Sequence, residues 1–460
     1  MSTSVKGKNA VLNMTEGKPM GLLLRFAIPM LIGNVFQQLY NLADSVIVGR
    51  LVNADALAAI GASSSVTFLF FALCNGIGSG GGIITSQFFG NSNSKAVKKC
   101  ITNTGYIMLV FPTLVGVAAY FLSGPRLELL ETPEEIMPDA LAYIRIMCIG
   151  IIFVSLYNYI ASMLRALGDS KTPLYFLIIS CIINIVLDLY FVYKLGMGVT
   201  GAGIATAVSQ LLSGAACMLY AVKTNPYFKF SKEDFVFDKR ITWQVIKLGV
   251  PLSLQFSLIA ISCMALQRVV NSFGPVAVAA FTATSRIEQL IHQPYQTLGT
   301  SLSTYTGQNY GAGKDQRIVQ GYRKALVFMA FFSLAMLPVM QIFGRGIVSI
   351  FVKEEEAEVI AMGAKALRIT SLFYVFLGII YVIRGVLNGL GDALFALING
   401  IVEVIGRFSV PVFMTGIAAI GVWGIWWATG IVWFISGAAA WLRYIFYKRK
   451  AFDRGPGVIV

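Results

Sequence analysis

Histidine is almost missing from this chain of 460 residues; His292 is the single example. That excludes catalytic and metal centres built on histidine, and His292 itself reads as a hydrogen-bonded structural residue. Charge is scarce as well. Only 13% of the residues are Asp, Glu, Lys or Arg, against about a quarter in soluble globular domains, so water is not the solvent for most of this surface. The six cysteines (Cys74, Cys100, Cys148, Cys181, Cys217 and Cys263) sit in or beside apolar stretches without metal-ligand spacing and read as small core residues. No Walker sequence is present, which leaves direct drive by ATP without support. A Gly76-Ile77-Gly78-Ser79-Gly80-Gly81 run fits the dinucleotide pattern. No strand precedes it and no acidic ribose partner follows, so it reads as a place where a helix bends or meets a neighbour closely. With no nucleophile–base or metal constellation either, neither an enzyme nor a bound cofactor is expected.

What the chain has in abundance is apolar sequence. Hydrophobic residues make up 57% of it, and the mean hydropathy is +0.73. Runs of about 20 apolar residues, long enough to cross a bilayer, recur from end to end; residues 106–122 and 174–193 are two of them. The polar first twenty residues, with Lys6, Lys8 and Lys18, carry no small-residue cleavage site, so membrane entry is expected to use the first spanning helix itself. Hydropathy and punctuation predict twelve helices at about 22–48, 54–88, 95–122, 134–166, 170–194, 198–222, 241–272, 276–309, 315–343, 356–389, 392–416 and 419–449. The fold class is therefore an all-α membrane protein. Residues 1–222 form an amino-terminal lobe of six helices, 223–240 a cytoplasmic linker, 241–450 a carboxy-terminal lobe of six helices, and 451–460 a tail.

The net charge of +14 invites a nucleic-acid reading, but its placement argues otherwise. Basic residues fill alternate connections: Lys95, Lys98 and Lys99; Arg165 and Lys171; residues 223–240; Lys314, Arg317, Arg323 and Lys324; and Lys448 to Lys450. The other connections carry Glu128, Glu131, Glu134 and Glu135, or Glu354, Glu355, Glu356 and Glu358. This is the pattern of cytoplasmic loops facing anionic lipid. It predicts a multi-pass protein of a bacterial inner membrane with both termini in the cytoplasm, partnered by lipid and not by nucleic acid.

The halves repeat one another. Phe26-Ala27-Ile28-Pro29 matches Leu248-Gly249-Val250-Pro251, and Gln87-Phe88-Phe89-Gly90 matches Gln308-Asn309-Tyr310-Gly311. Leu167-Gly168-Asp169 matches Leu390-Gly391-Asp392, and Gly198-Val199-Thr200-Gly201 matches Gly421-Val422-Trp423-Gly424. Six spans per copy is an even number, so the repeat is parallel, a plan used by transporters that rock one bundle against the other. Duplication of a scaffold that transports nothing is the plainer alternative.

Gly17-Lys18-Pro19, Pro29, the run Leu39-Tyr40-Asn41-Leu42-Ala43-Asp44 and Val48-Gly49-Arg50 resemble the opening of the multidrug and toxic compound extrusion (MATE) family. Arg286-Ile287-Glu288, Gln293-Pro294, Gly307-Gln308-Asn309 and Gly311 resemble its eighth-helix signature, and Leu164-Arg165-Ala166-Leu167-Gly168-Asp169 adds a further match. The resemblance covers nearly the whole chain and is nearest the bacterial MepA-like exporters. It implies a V-shaped protein of twelve helices that exports organic, often cationic, compounds in exchange for protons or sodium ions. It is expected to act as a monomer. The rival within the same superfamily is a lipid-linked oligosaccharide flippase, whose cavity would call for many basic residues; here Asp44, Asp188, Glu288 and Glu403 are acidic. A receptor or scaffold is the rival outside it.

An ionisable group at mid-membrane costs roughly 2.5–3.5 kcal/mol on insertion scales and needs a partner or a task. Asp44 and Asp188 lie near the outer ends of two helices that run the same way. Asn184 is four residues before Asp188, on the same helix face, and Thr206 enters at a similar level. Two carboxylates, an amide and a hydroxyl suit a hard cation such as sodium, or a shared proton. By resemblance these four match the family's amino-lobe cation site; a polar seam between helices is the alternative. In the second lobe Asp188 maps to Pro411, Thr206 to Thr429 and Asp44 near Leu266, so coupling is expected on one side only. Some relatives carry an acid in the seventh helix; here that helix offers Ser253, Gln255, Ser257 and Ser262 instead.

Glu403 and Arg407, four apart, read as an internal salt bridge. Glu288 either pairs with Arg407 or faces the cavity. Glu288, Tyr40, Gln37, Met163 and Tyr157 are the candidates for the substrate cavity, since thioethers and rings adapt to varied apolar shapes. Pro29 and Pro251 occupy equivalent places and are the expected hinges.

Overall fold

The computed structural model describes residues 11–52, 54–129, 133, 135–353 and 355–454. Their side chains are described except at 42–46, 48–51, 54–58, 62–67, 69–70, 126, 129, 260 and 448–454. Glu131, Glu134 and Glu354 of the acidic connections therefore lie outside the described residues.

All the regular structure among the described residues is helical. The long helices are α1 (Pro19–Leu51), α2 (Ala54–Gly90), α3 (Ser94–Leu129), α4 (Met137–Ala166), α5 (Lys171–Asp188), α6 (Gly198–Thr224), α7 (Lys239–Asn271), α8 (Pro275–Gly311), α9 (Asp315–Ser349), α10 (Ala357–Ser371), α11 (Tyr374–Gly389), α12 (Ala393–Gly416) and α13 (Gly424–Arg454). They answer to the twelve predicted segments one for one, except that the tenth is split. α10 and α11 meet at a bend of 53°, the geometry of a broken span or a re-entrant loop. Among the described residues nine helices are long and apolar enough to cross a membrane, and the bent pair makes up to ten. α8 falls short because Arg286, Glu288, Gln289, His292 and Gln293 dilute its apolar sequence. Large apolar side chains such as Leu114, Phe121, Val327, Phe331, Ile342 and Phe413 are exposed. That is the arrangement expected where lipid surrounds the helices.

The repeat extends to backbone geometry. At the ends of α4 and α11 the chain turns through Gly168 (φ 86°) and Gly391 (φ 91°). The glycine N–H donates to Arg165 O in one copy and Asn388 O in the other, both at 2.9 Å. The next residue, Asp169 or Asp392, donates its N–H to Leu164 O or Leu387 O, again at 2.9 Å. This left-handed close of a helix needs glycine, because a Cβ there would strain the backbone.

The chain divides into two compact units at boundaries that differ from the lobes read in sequence. The first comprises residues Met1–Asn13 and Ile28–Ser253, the second Met14–Ala27 and Leu254–Val460. The linker region and the first half of α7 thus belong with the first unit, and the segment leading into α1 with the second. Specific contacts explain both shifts. In the first unit Thr102 and Tyr106 of α3 donate to Asp234 O at 2.6 Å and Phe235 O at 2.7 Å. Burial pushes the Asp234 carboxyl up. Hydrogen bonds from Ser231 and the nearby Lys98 and Lys95 outweigh that and hold it below its usual value. In the second unit Met14 N donates to Gln308 Oε1 at 2.9 Å, and Asn309 Nδ2 donates to Met14 O at 3.1 Å.

The glycine run of α2 is a packing surface, as expected. A Cβ on Gly80 would lie 2.6 Å from Gly249 N, and one on Gly76 would collide with Ser253. The absent side chains let α2 and the first half of α7 meet backbone to backbone.

Candidate functional site

In the amino-terminal unit three of the four expected coupling residues lie on the packed pair α5 and α6. α5 carries Asn184 and, one turn on, Asp188, both buried, Asp188 completely. Asn184 Nδ2 donates to Thr206 Oγ1 of α6 at 3.4 Å. α5 and α6 pack side by side with Ser180 and Ser213 hydroxyls bonded across the seam, Ser180 Oγ to Ser209 O at 3.3 Å and Ser213 Oγ to Phe176 O at 2.6 Å. Asp188 is also the last α-helical residue of its segment. From Leu189 to Lys194 the chain continues as a π-helix. Such one-turn widenings frequently mark functional sites, because they release backbone groups from the regular ladder. Apolar periodicity gave no sign of it. Asp44 lies on α1, but its side chain is outside those described.

The repeat makes the asymmetry concrete. The second unit has Pro411 within α12 where the first has Asp188. Thr429, the counterpart of Thr206, turns its hydroxyl back to Ile425 O of its own helix at 3.1 Å. The polar pocket of α5 and α6 therefore has no copy at Pro411 and Thr429.

The second unit carries a different polar cluster, and here one expectation is corrected. Glu403 pairs with Arg384 of α11 at 2.7 Å, not with Arg407 on its own helix. Arg384 also donates to Asn399 Oδ1 at 2.6 Å, and Asn399 in turn donates to Ser436 O at 3.0 Å. Arg384 wins because it meets the carboxylate and the amide together; Arg407 instead donates Nη1 to Cys263 Sγ at 3.0 Å. Arg384 was absent from the sequence candidates, since nothing in the spacing of α11 marked it as the partner of α12.

Glu288 sits beside the Thr370 hydroxyl and within the field of Arg407. Its Oε1 is occluded and has no hydrogen-bond partner among the described residues. His292, one turn on, packs edge-on to Trp433 with ring centroids 5.5 Å apart and to Tyr381 at 6.5 Å. Gln37 and Tyr40 are half-buried on α1. Tyr157 is buried and donates to Pro173 O at 2.9 Å. Met163 is fully buried in the core of the first unit and accepts from Thr85 Oγ1 at 3.6 Å, which makes it a packing residue. Pro29 and Pro251 lie inside α1 and α7 respectively.

Two copies of a six-helix unit, with apolar exteriors and a buried carboxylate at a helix–helix seam, define a multi-pass membrane protein of the transporter type. Comparison with known proteins supplies the family. Residues 29–190 and 251–412 each match the MatE family model, once per copy. The chain belongs to the MATE family. It is 30% identical over 444 residues, 95% of this chain and 98% of the relative, to the probable multidrug resistance protein YpnP of Bacillus subtilis. It is 22% identical to the multidrug export protein MepA of Staphylococcus haemolyticus, covering 88% of this chain and 89% of that one. Among solved structures, an outward-facing multidrug resistance MATE family transporter superposes with a TM-score of 0.90 at 23% identity, over 97% of this chain and 99% of that one.

Proposed function

We propose that the protein is a secondary active antiporter that exports organic, often cationic, compounds in exchange for protons or sodium ions by alternating access. It resides in a bacterial inner membrane with both termini in the cytoplasm. The coupling ion binds in the amino-terminal unit at Asp188, Asn184 and Thr206, with Asp44 of α1 completing the site.

The observation that carries this reading is the fully buried Asp188 one turn beyond the Asn184–Thr206 hydrogen bond. A buried carboxylate beside an amide and a hydroxyl offers an all-oxygen donor set that a sodium ion or a proton can use. The multidrug names of the relatives favour drug export over the flippase alternative. Coupling follows from differential affinity: an ion shifts an equilibrium between two states only as far as it prefers one of them. Filling the pocket neutralises its carboxylates, lets α1 repack at Pro29 and releases substrate outward.

The test is gradient-driven export from proteoliposomes. Asp44→Asn and Asp188→Asn are each expected to abolish it while the protein still inserts. The double variant is expected to lose little more, because both acids serve one site. Export at the wild-type rate by either single variant would sink the proposal.

A further inference from the structure

Arg165, in the last turn of α4, is a half-buried cation without an ion-pair partner among the described residues. Its Nη2 donates to Ser162 Oγ at 3.1 Å. Among the described residues the ion pairs are Lys95–Glu233, Lys98–Asp234, Arg384–Glu403 and Arg443–Asp392; Arg165 is in none of them. The nearest acid in sequence, Asp169, turns its Oδ1 to the backbone N–H groups of Lys171 and Thr172 at 3.1 and 3.0 Å. The guanidinium borders a recess lined by the polar Asn34 and Ser170 and by the apolar Met30, Leu174 and Leu177.

The second copy lacks this arrangement. By the offset of the repeat, Arg165 corresponds to Asn388, a neutral amide whose Oδ1 is buried without a hydrogen-bond partner among the described residues. The guanidinium near that position, Arg443, is neutralised by Asp392 at 2.8 Å. Among the described residues the first unit therefore keeps a positive charge outside any ion pair where the second holds a neutral side chain and a closed ion pair. A buried charge is stable only when it is matched, and the planar fork of an arginine matches a tetrahedral or carboxylate oxyanion through two parallel hydrogen bonds.

We infer that this recess binds a phosphate group, held by Arg165 with Asn34 and Ser170 beside it, while Met30, Leu174 and Leu177 take the hydrocarbon of an attached apolar tail. The ligand class is a phosphate ester, supplied by a phospholipid headgroup or as a free phosphate compound. Pro29 is part of the same wall, so an occupied recess braces α1 at its proline. The site is separate from Asp188 and does not depend on the coupling proposal.

Native mass spectrometry of the purified full chain with phosphatidylglycerol, alongside diacylglycerol that lacks the phosphate, reads the lipid arm. Thermal stabilisation by inorganic phosphate reads the free-anion arm. The wild type is expected to retain one phosphatidylglycerol and no diacylglycerol. Arg165→Gln is expected to weaken retention about tenfold or more, as loss of a charge-assisted pair does, and Arg165→Lys to keep part of it. Leu177→Trp, which fills the apolar wall and leaves Arg165 in place, is expected to expel the lipid and decides the matter if Arg165→Gln does not fold. Stabilisation of the wild type but not of Arg165→Gln by inorganic phosphate assigns the free anion as the source. Equal lipid retention by the wild type, Arg165→Gln and Leu177→Trp, with no stabilisation by phosphate, would overturn the inference.

Discussion

Asp188 and Glu403 are both buried carboxylates, yet their surroundings differ. Glu403 is closed off by Arg384 at 2.7 Å, with Asn399 bridging to the next helix. Removing one member leaves the other as an uncompensated buried charge, a loss of about 3–5 kcal/mol. Arg384→Ala is therefore expected to lower the melting temperature of the purified protein strongly, while Arg384→Met with Glu403→Leu recovers most of the loss; an unchanged melting temperature in the single variant would remove the pair from the stability of the second unit. Glu288 is less completely satisfied, with an occluded Oε1 that lacks a partner among the described residues. If it faces substrate, Glu288→Gln weakens export of cationic compounds more than of neutral ones, measured as paired efflux rates. Equal loss for both classes would assign it to the field of Arg407 instead. At this scale the sequence singled out Asp188 and Glu403, which the helices bury, because ionisable residues stand out in apolar runs. It did not show who meets whom: Arg384 reaches Glu403 from another helix, and spacing along one helix wrongly favoured Arg407.

Elements were the most legible level. Twelve apolar segments predicted twelve helical regions, since a bilayer imposes both length and hydrogen-bonded backbone. Two features escaped because they are local departures from regular winding. One is the π-helix Leu189–Lys194 after Asp188; the other is the 53° break between α10 and α11. The glycine run in α2 was read correctly because glycines repeated along an apolar helix signal close approach. α1 carries Pro29 and Asp44, the proposed hinge and the proposed coupling acid, on one helix. Proline removes an intrahelical hydrogen bond and lets a helix bend. Pro29→Ala is accordingly expected to slow export severalfold while insertion and melting temperature stay near wild type. Wild-type export rates in that variant would take Pro29 out of the mechanism.

Over the whole molecule, duplication is the organising fact. The family model matches once in each copy, and the Gly168 and Gly391 turns share both φ angle and hydrogen-bond pattern. Legible duplication did not fix where one unit stops, since contacts to α3 and to α8 reassign the stretches before α7 and α1. The copies diverged in polar content. The first keeps Asn184, Asp188 and Thr206, and the second substitutes Pro411 and its own Arg384–Glu403 pair. One-sided coupling is the proposal that rests on this difference, and it is the central claim. The most direct measurement is export of an organic cation from proteoliposomes under an imposed proton gradient and then an imposed sodium gradient, for the wild type and for Asp188→Asn. One positive charge crossing 100 mV supplies about 2.3 kcal/mol, enough to drive accumulation roughly fortyfold. The account predicts that at least one of the two gradients drives export by the wild type and that neither drives it in Asp188→Asn. Export by Asp188→Asn at the wild-type rate, or failure of both gradients to drive the wild type, would contradict it.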